Sequence, residues 1–162
     1  MPGRIRSGCK GDGLIMNILF YLVPKSELAY IYDDYTVRQT MEKLENHRYT
    51  SVPVINRKGN YVGSLSEGDI LWDLKERNIK DLKETENIPV RQVKRCHDNE
   101  PVNVNCDMED LVMTAMNQNF IPVIDDNRIF IGIVTRRSII SYCFDRYTMA
   151  AEESAAAGSV KK

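Results

Sequence analysis

Two short stretches of the chain set a hydroxyl residue where a strand should run into a helix. In the first, Gly63-Ser64-Leu65-Ser66-Glu67-Gly68-Asp69, a serine is followed three residues later by an aspartate. In the second, Gly132-Ile133-Val134-Thr135-Arg136-Arg137-Ser138, a threonine is followed three residues later by a serine, with two arginines between. Local chemistry alone accounts for the first pair, because Ser66 and Asp69 have the spacing of a capping box. A ligand accounts for it too. A strand opening into a helix offers free backbone N–H groups and a positive helix end, which suit an anionic or polyhydroxyl ligand. There Ser66 would donate to a phosphate oxygen, and Asp69 would accept from both hydroxyls of a ribose diol. Ser138 holds a diol less well, so the second corner either binds more weakly or reads a different part of the ligand. Arg136 and Arg137 point to the latter. In a first helical turn they oppose the dipole at a cost of roughly a few tenths of a kcal/mol. Facing phosphates, they gain charge-assisted, bidentate bonds. A solvated pair of surface arginines is the plainer alternative.

Both stretches sit inside a unit that occurs twice. Ser51-Val52-Pro53-Val54-Ile55, a polar turn and Tyr61 to Ile70 reappear as Phe120-Ile121-Pro122-Val123-Ile124, a turn and Phe130 to Ile139. One shift of 69 residues superimposes them without a gap, matching Pro53 to Pro122, Gly63 to Gly132 and Ser66 to Thr135. Self-similarity at a fixed shift marks a duplicated structural unit. Upstream of the first copy, Ala29 to Tyr32 is a short strand candidate, and Thr36 with Gln39 forms a capping box ahead of a helix over 37–46. Upstream of the second, Pro101 to Val104 is the matching strand. Asp107 caps a helix whose Met108, Leu111, Val112, Ala115 and Met116 share one face. The helix after Ser66 puts Ile70, Leu71 and Leu74 on one face, and the last helix is expected over 136–147.

Each half therefore reads β-α-β-β-α, an α/β (α+β) fold class. At roughly 60 residues neither half buries enough core alone, so the two are expected to pack through their sheets in a pseudo-two-fold arrangement. The chain divides into a Gly-rich basic leader at 1–15, with Met16 as a candidate start, and a first repeat over 16–80 with its N-terminal segment. A second repeat follows over 81–147, then a flexible tail at 148–162. Arg77 to Asn87 reads as a charged linker or the solvated end of a helix.

At 43% hydrophobic and 28% charged, the 162-residue chain is globular. Its formal charge of −1 argues against a nucleic-acid partner. Cys9, Cys96, Cys106 and Cys143 include no C-x-x-C pair, and only His47 and His97 could assist, so no metal site is expected. Unpaired cysteines fit a reducing cytoplasm. The longest mostly apolar run, Leu14 to Val23, is too short to span a membrane and reads as a short helix packed on the domain, or from Asn17 to Val23 as an extended segment. Pro24-Lys25-Ser26-Glu27 follows it where a signal peptide would need a small-x-small cleavage site. Catalytic motifs find no match. Gly63 to Gly68 has P-loop spacing, but Asp69 stands where the phosphate-binding lysine must be. Neighbouring Cys96 and His97 diverge in an extended segment and make no nucleophile–base pair. No enzymatic activity is expected.

The pattern x-Pro-Val-Ile, turn, aromatic-Val/Ile-Gly-x-x-Ser/Thr, helix, twice in one short chain, resembles a tandem pair of cystathionine β-synthase (CBS) domains, or Bateman module, over about residues 17–147. The resemblance implies a non-catalytic regulatory module that binds an adenine nucleotide (AMP, ADP, ATP or cyclic di-AMP) in the cleft between repeats. Occupancy would be signalled to an unidentified effector protein. Ser66 and Asp69 would hold the ligand from one side and Thr135, Arg136 and Arg137 from the other. Ala29, Val52, Pro53, Ile121 and Pro122 would line the cleft. Thr135-Arg136-Arg137, together with Tyr49-Thr50-Ser51-Val52-Pro53, is similar to small stand-alone bacterial members that bind cyclic di-AMP, in which Tyr49 would stack on an adenine. Glu27 is a misfit, since a carboxylate pointing inward there would repel phosphate. Ser138 in place of aspartate keeps open a second reading, a structural dimerisation module with vestigial sites. Such pairs form flat two-fold dimers through the helices after Ser66 and Thr135. Trp72, Tyr142 and Phe144, apolar beyond the need of one core face, predict a homodimer.

Overall fold

Short apolar strands build two small sheets. The computed structural model describes residues 17–159; the leader at 1–15 and the candidate start Met16 lie outside them. Strand β1 (Leu22–Pro24) leads into the first repeat: β2 (Ile31–Tyr32), α1 (Val37–His47), β3 (Ser51–Ile55), β4 (Tyr61–Ser66) and α2 (Glu67–Glu76). The second repeat follows as β5 (Val102–Asn103), α3 (Met108–Ala115), β6 (Phe120–Ile124), β7 (Phe130–Thr135) and α4 (Arg136–Ser159). One sheet has the order β2-β3-β4, the other β1-β7-β6-β5. The expected β-α-β-β-α plan is present twice.

Local chemistry explains the boundaries. At α1 the capping box forms: Thr36 Oγ1 accepts from the Gln39 N–H (3.2 Å), and Gln39 Oε1 accepts from the Thr36 N–H (3.0 Å). Val37, Thr40 and Leu44 are its buried stripe. Asp107 takes the N-cap position of α3, but its side chain accepts no capping bond. Met116, expected on the inner face of that helix, lies past its end and is exposed. Strand β2 pairs only with Val54 and Ile55, and β5 only with Val123 and Ile124. Pro53 and Pro122 thus lie beyond the ends of those partners, where a missing N–H interrupts no bond to them. Around the first sheet Ile31, Val52, Val54 and Leu65 pack with Leu44 and Ile70; around the second Ile121 and Val134 pack with Met108, Leu111 and Ile139.

The two halves meet about a pseudo-two-fold axis. Asn60 bridges to Ile129, and the Tyr61 ring stacks on Phe130 with centroids 6.0 Å apart. Each of these pairs joins a residue to its own counterpart at the 69-residue shift, as only contacts on a two-fold axis do. The Phe130 N–H also donates to the Gly59 carbonyl (2.9 Å). A second tie is β1, which precedes the first repeat yet pairs antiparallel with β7 of the second, Leu22 to Val134 and Pro24 to Gly132. Glycine is required at 132, because a Cβ there would overlap the Val23 carbonyl oxygen.

Several expectations change. The segment from Asn17 to Val23, expected as a short helix or an extended stretch, is both in turn: a 3-10 turn (Ile18–Phe20) and then strand β1. Residues 77–87 are more than a solvated linker: Leu82–Asn87 is a 3-10 helix against α1, with Thr85 fully buried. Leu71 is exposed because α2 turns Asp69, Ile70 and Asp73 inward. Helix α4 continues through Ser159, so much of the segment expected as a flexible tail is helical. Tyr142 is only 3% exposed and belongs to the second core, its hydroxyl donating to Glu109 (2.6 Å). Trp72 and Phe144 do lie open, at 56% and 65%.

Candidate functional site

A cleft of about 350 Å³ opens between the repeats. The first repeat contributes Leu28 and Ala29, the Arg48-Tyr49-Thr50-Ser51 link from α1 to β3, and Pro53; the second contributes Asn119, Phe120, Ile133 and Thr135; Val23 of β1 closes one side. The cleft follows from how α1 ends. Arg48 is in the left-handed conformation (φ 56°), its N–H bonded to Glu45 O, which stops the helix and swings Tyr49 toward the gap. Tyr49 is 37% exposed, and its ring lies 5.4 Å from that of His47 at 32°. Thr135 Oγ1 lies 2.8 Å from Ser138 Oγ and accepts from the Ser138 N–H (3.1 Å), so the two hydroxyls form a small polar corner at the start of α4. Arg136 is tied beside it: its N–H donates to Asn119 O (3.1 Å) and its Nε to Gln118 O (3.2 Å). Arg137 is exposed, with no partner among the described residues. Neither arginine lines the cleft itself, although both follow Thr135 at the start of α4.

At the other corner the Asp69 carboxylate turns inward, and Asp98 and Asn99 beside it line a second cleft of about 450 Å³ with Glu100, Asn117 and Gln118. Asp69 is 4% exposed, and both oxygens of its carboxylate accept bonds from the protein. One oxygen accepts from the Ser66 N–H (2.9 Å) and the Ser66 hydroxyl (2.7 Å), the other from the Cys96 N–H (2.9 Å). Burial works against its charge, but the bonds from Cys96 and Ser66 outweigh it and hold the carboxyl below the usual carboxylate range. Residues 95–99 lie across the same corner. Asp98 Oδ1 accepts from the Ser64 N–H (2.9 Å) and from Arg95 Nε (2.7 Å), and the Asn99 N–H donates to Ser64 Oγ (2.9 Å). A Cβ on Gly63 would overlap Asp98 Oδ1, so this glycine serves a close approach of the chain.

Of the residues expected at one shared site, Ala29, Tyr49, Pro53 and Thr135 come together. Ser66 and Asp69 do not join them; they form the capping box of α2. Val52 and Ile121 are buried in the two cores, since strand alternation turns the neighbours of Pro53 and Pro122 to the opposite face. Pro122 is buried and does not line the cleft. Glu27 is exposed and does not line it either. Arg48 was missed from sequence, although a basic residue beside Tyr49 in a helix-to-strand link was a readable signal. Val23 carried no such signal, because its place depends on the distant pairing of β1 with β7. Among the described residues no group of three or more His, Cys, Asp or Glu could hold a metal ion, and no helix is long and apolar enough to cross a membrane.

Known proteins give this geometry a setting. The structure of CbpB in complex with cyclic di-AMP is similar to this chain at 27% identity and a TM-score of 0.74, covering 86% of this chain and 92% of that one. CbpB from Streptococcus agalactiae is similar at 25% identity and a TM-score of 0.73, covering 92% and 96%. The L-aspartate semialdehyde sulfurtransferase of Methanocaldococcus jannaschii is 29% identical over 104 residues, 64% of this chain but only 19% of that enzyme. The family model of the CBS domain matches residues 22–76 and again 86–145, one match for each structural repeat. With most of its length accounted for by these two matches, the chain belongs to the CBS domain family.

Proposed function

We propose that the chain is a regulatory module that binds an adenine nucleotide, with cyclic di-AMP the best-supported choice, in the Thr135 cleft. The carrying observation is the composition of that cleft. It sets an aromatic face (Tyr49), a small apolar floor (Ala29, Pro53), a hydroxyl (Thr135) and a cation (Arg48) around one space, with Arg136 and Arg137 next in sequence to Thr135. An adenine needs the first two and a phosphate the last two. Its volume lies at the lower end of the roughly 300–1,000 Å³ range of small-molecule sites. Similarity to CbpB, solved with cyclic di-AMP, supports the choice of ligand. The ligand acts by changing how the repeats sit together and so what a partner protein meets. The module works as a homodimer and catalyses no reaction of its own, and the match to a fifth of a sulfurtransferase carries no activity over to it.

Calorimetric titration with cyclic di-AMP, AMP and ATP tests this. Saturable binding of cyclic di-AMP is expected. Tyr49→Ala should weaken it by about 1–3 kcal/mol, the range for losing one aromatic–base stack, while Tyr49→Phe should retain it. Replacing Arg136 and Arg137 with alanine should raise the Kd and flatten its salt dependence. No saturable heat with any of the three nucleotides would leave the dimerisation module as the better reading.

A further inference from the structure

One turn is built twice in this chain, with different side chains each time. The Tyr35 N–H donates to the Tyr32 carbonyl in the first repeat and the Cys106 N–H to the Asn103 carbonyl in the second, both at 3.0 Å. Ile31 pairs with Val54 and Val102 with Val123, so the two turns correspond at a shift of 71. The helix N-caps that follow, Thr36 and Asp107, agree with that shift. In the second repeat the turn is tied to the next hairpin by one side-chain bond, Asn103 Nδ2 to Asp126 Oδ1 at 2.9 Å. In the first, the same two places hold Tyr32 and Arg57, with the guanidinium carbon 4.0 Å from the ring centroid. The exchange continues around them: Tyr30 stands for Pro101, Tyr35 for Cys106 and Lys43 for Thr114.

The first repeat thereby gains a patch of three half-buried tyrosines and three cations. The rings pack edge to face, Tyr30 at 5.7 Å from Tyr32 and Tyr32 at 5.5 Å from Tyr35. Lys25 Nζ lies 4.9 Å from the Tyr30 centroid, and Lys43 Nζ lies 5.4 Å from it and 5.8 Å from that of Tyr35. Asp34 accepts from Arg57 Nε (2.8 Å), but Lys25 and Lys43 meet no carboxylate at ion-pair distance among the described residues. Because the second repeat closes the same turn with one amide–carboxylate bond, the fold does not require this cluster. We propose that the patch docks the partner protein through a carboxylate-rich segment. Tyrosine and arginine concentrate binding energy at interfaces, and the two unpaired ammonium groups set the sign of what they attract. A chain of formal charge −1 is poorly suited to a nucleic acid instead. The stretch that carries Lys25 and Tyr30 also gives Val23, Leu28 and Ala29 to the cleft, so patch and ligand site share one run of backbone. The inference deepens the regulatory reading above and rests on it for there being a partner.

Fluorescence anisotropy of a labelled oligoglutamate peptide, run on the full chain without nucleotide, tests the patch. The wild type should bind the peptide saturably and more weakly as salt is added. Tyr32→Asn combined with Arg57→Asp copies the second repeat's own pair into the first. This double variant should keep the thermal midpoint and raise the peptide Kd at least about tenfold. Lys80→Asp, an equal change of charge at an exposed position outside the patch, should bind as the wild type does. No binding by the wild type, an unaffected double variant, or equal weakening by Lys80→Asp overturns the proposal. So does a single-stranded oligonucleotide that displaces the label at lower concentration than unlabelled peptide, which would assign the patch to nucleic acid. If the double variant fails to fold, Lys25→Gln with Lys43→Gln removes the unpaired charges and should weaken binding as far. With no nucleotide in the assay, a failure of the nucleotide reading, seen by calorimetry, leaves this result standing.

Discussion

Asp69 ties the stability of the first repeat to acid. Its folded-state pKa is below the ordinary carboxylate value, so the bonds from Cys96 and Ser66 stabilise the fold fully above the unfolded range near pH 4. That contribution fades as pH falls through the lower, folded pKa. Asp69→Asn should cost about 1–3 kcal/mol near neutral pH, the range for charge-assisted bonds to a buried group. The gap from wild type should shrink as the medium is acidified below about pH 4. Urea midpoints of both proteins across that range measure it. The same substitution should leave cyclic di-AMP binding at the Thr135 cleft unaltered, because Asp69 faces α2 and Cys96 instead of the cleft.

Strand β1 links fold and cleft, since Val23 both pairs with Ile133 and lines the site. Gly132→Ala would push a Cβ into the Val23 carbonyl, and backbone yields poorly. A loss of about 1–3 kcal/mol is expected, with weakened ligand binding alongside, read by thermal melts and calorimetry on the same sample. The elements themselves were legible where their causes are local. The Thr36–Gln39 box, the paired strands around Pro53 and Pro122 and the stripe on α1 all follow from neighbours a few residues apart. What escaped the sequence is long-range. Nothing near Asp69 announces that the Cys96 N–H will reach it, and nothing in Leu22 to Pro24 names β7 as its mate. Ser66 and Asp69 were legible as a capping box, and the ligand role assigned to them depended on which chain segment would fill the corner above. Tyr142 looked superfluous to the core because its bond to Glu109 of α3 and its place in the second core are long-range.

At the scale of the whole molecule, the open apolar surface is the unsettled face. Trp72 on α2 and Phe144 on α4 remain exposed, with Ile140 and Tyr147 on α4 spaced to join Phe144 in one stripe. Phe144→Glu should convert a dimer into a monomer at micromolar concentration by light scattering without lowering the thermal midpoint of the chain, whereas a monomeric wild type would refute the dimer. The pairing of β1 with β7 has a consequence of another kind, in the order of folding. Leu22 finds Val134 only across most of the chain, so the loop it closes is among the longest the fold offers. A ribosome delivers β1 early and β7 late. The first sheet can form while synthesis continues, but β1 has no edge to pair with until β7 and its Gly132 emerge, and only then is the earliest strand claimed.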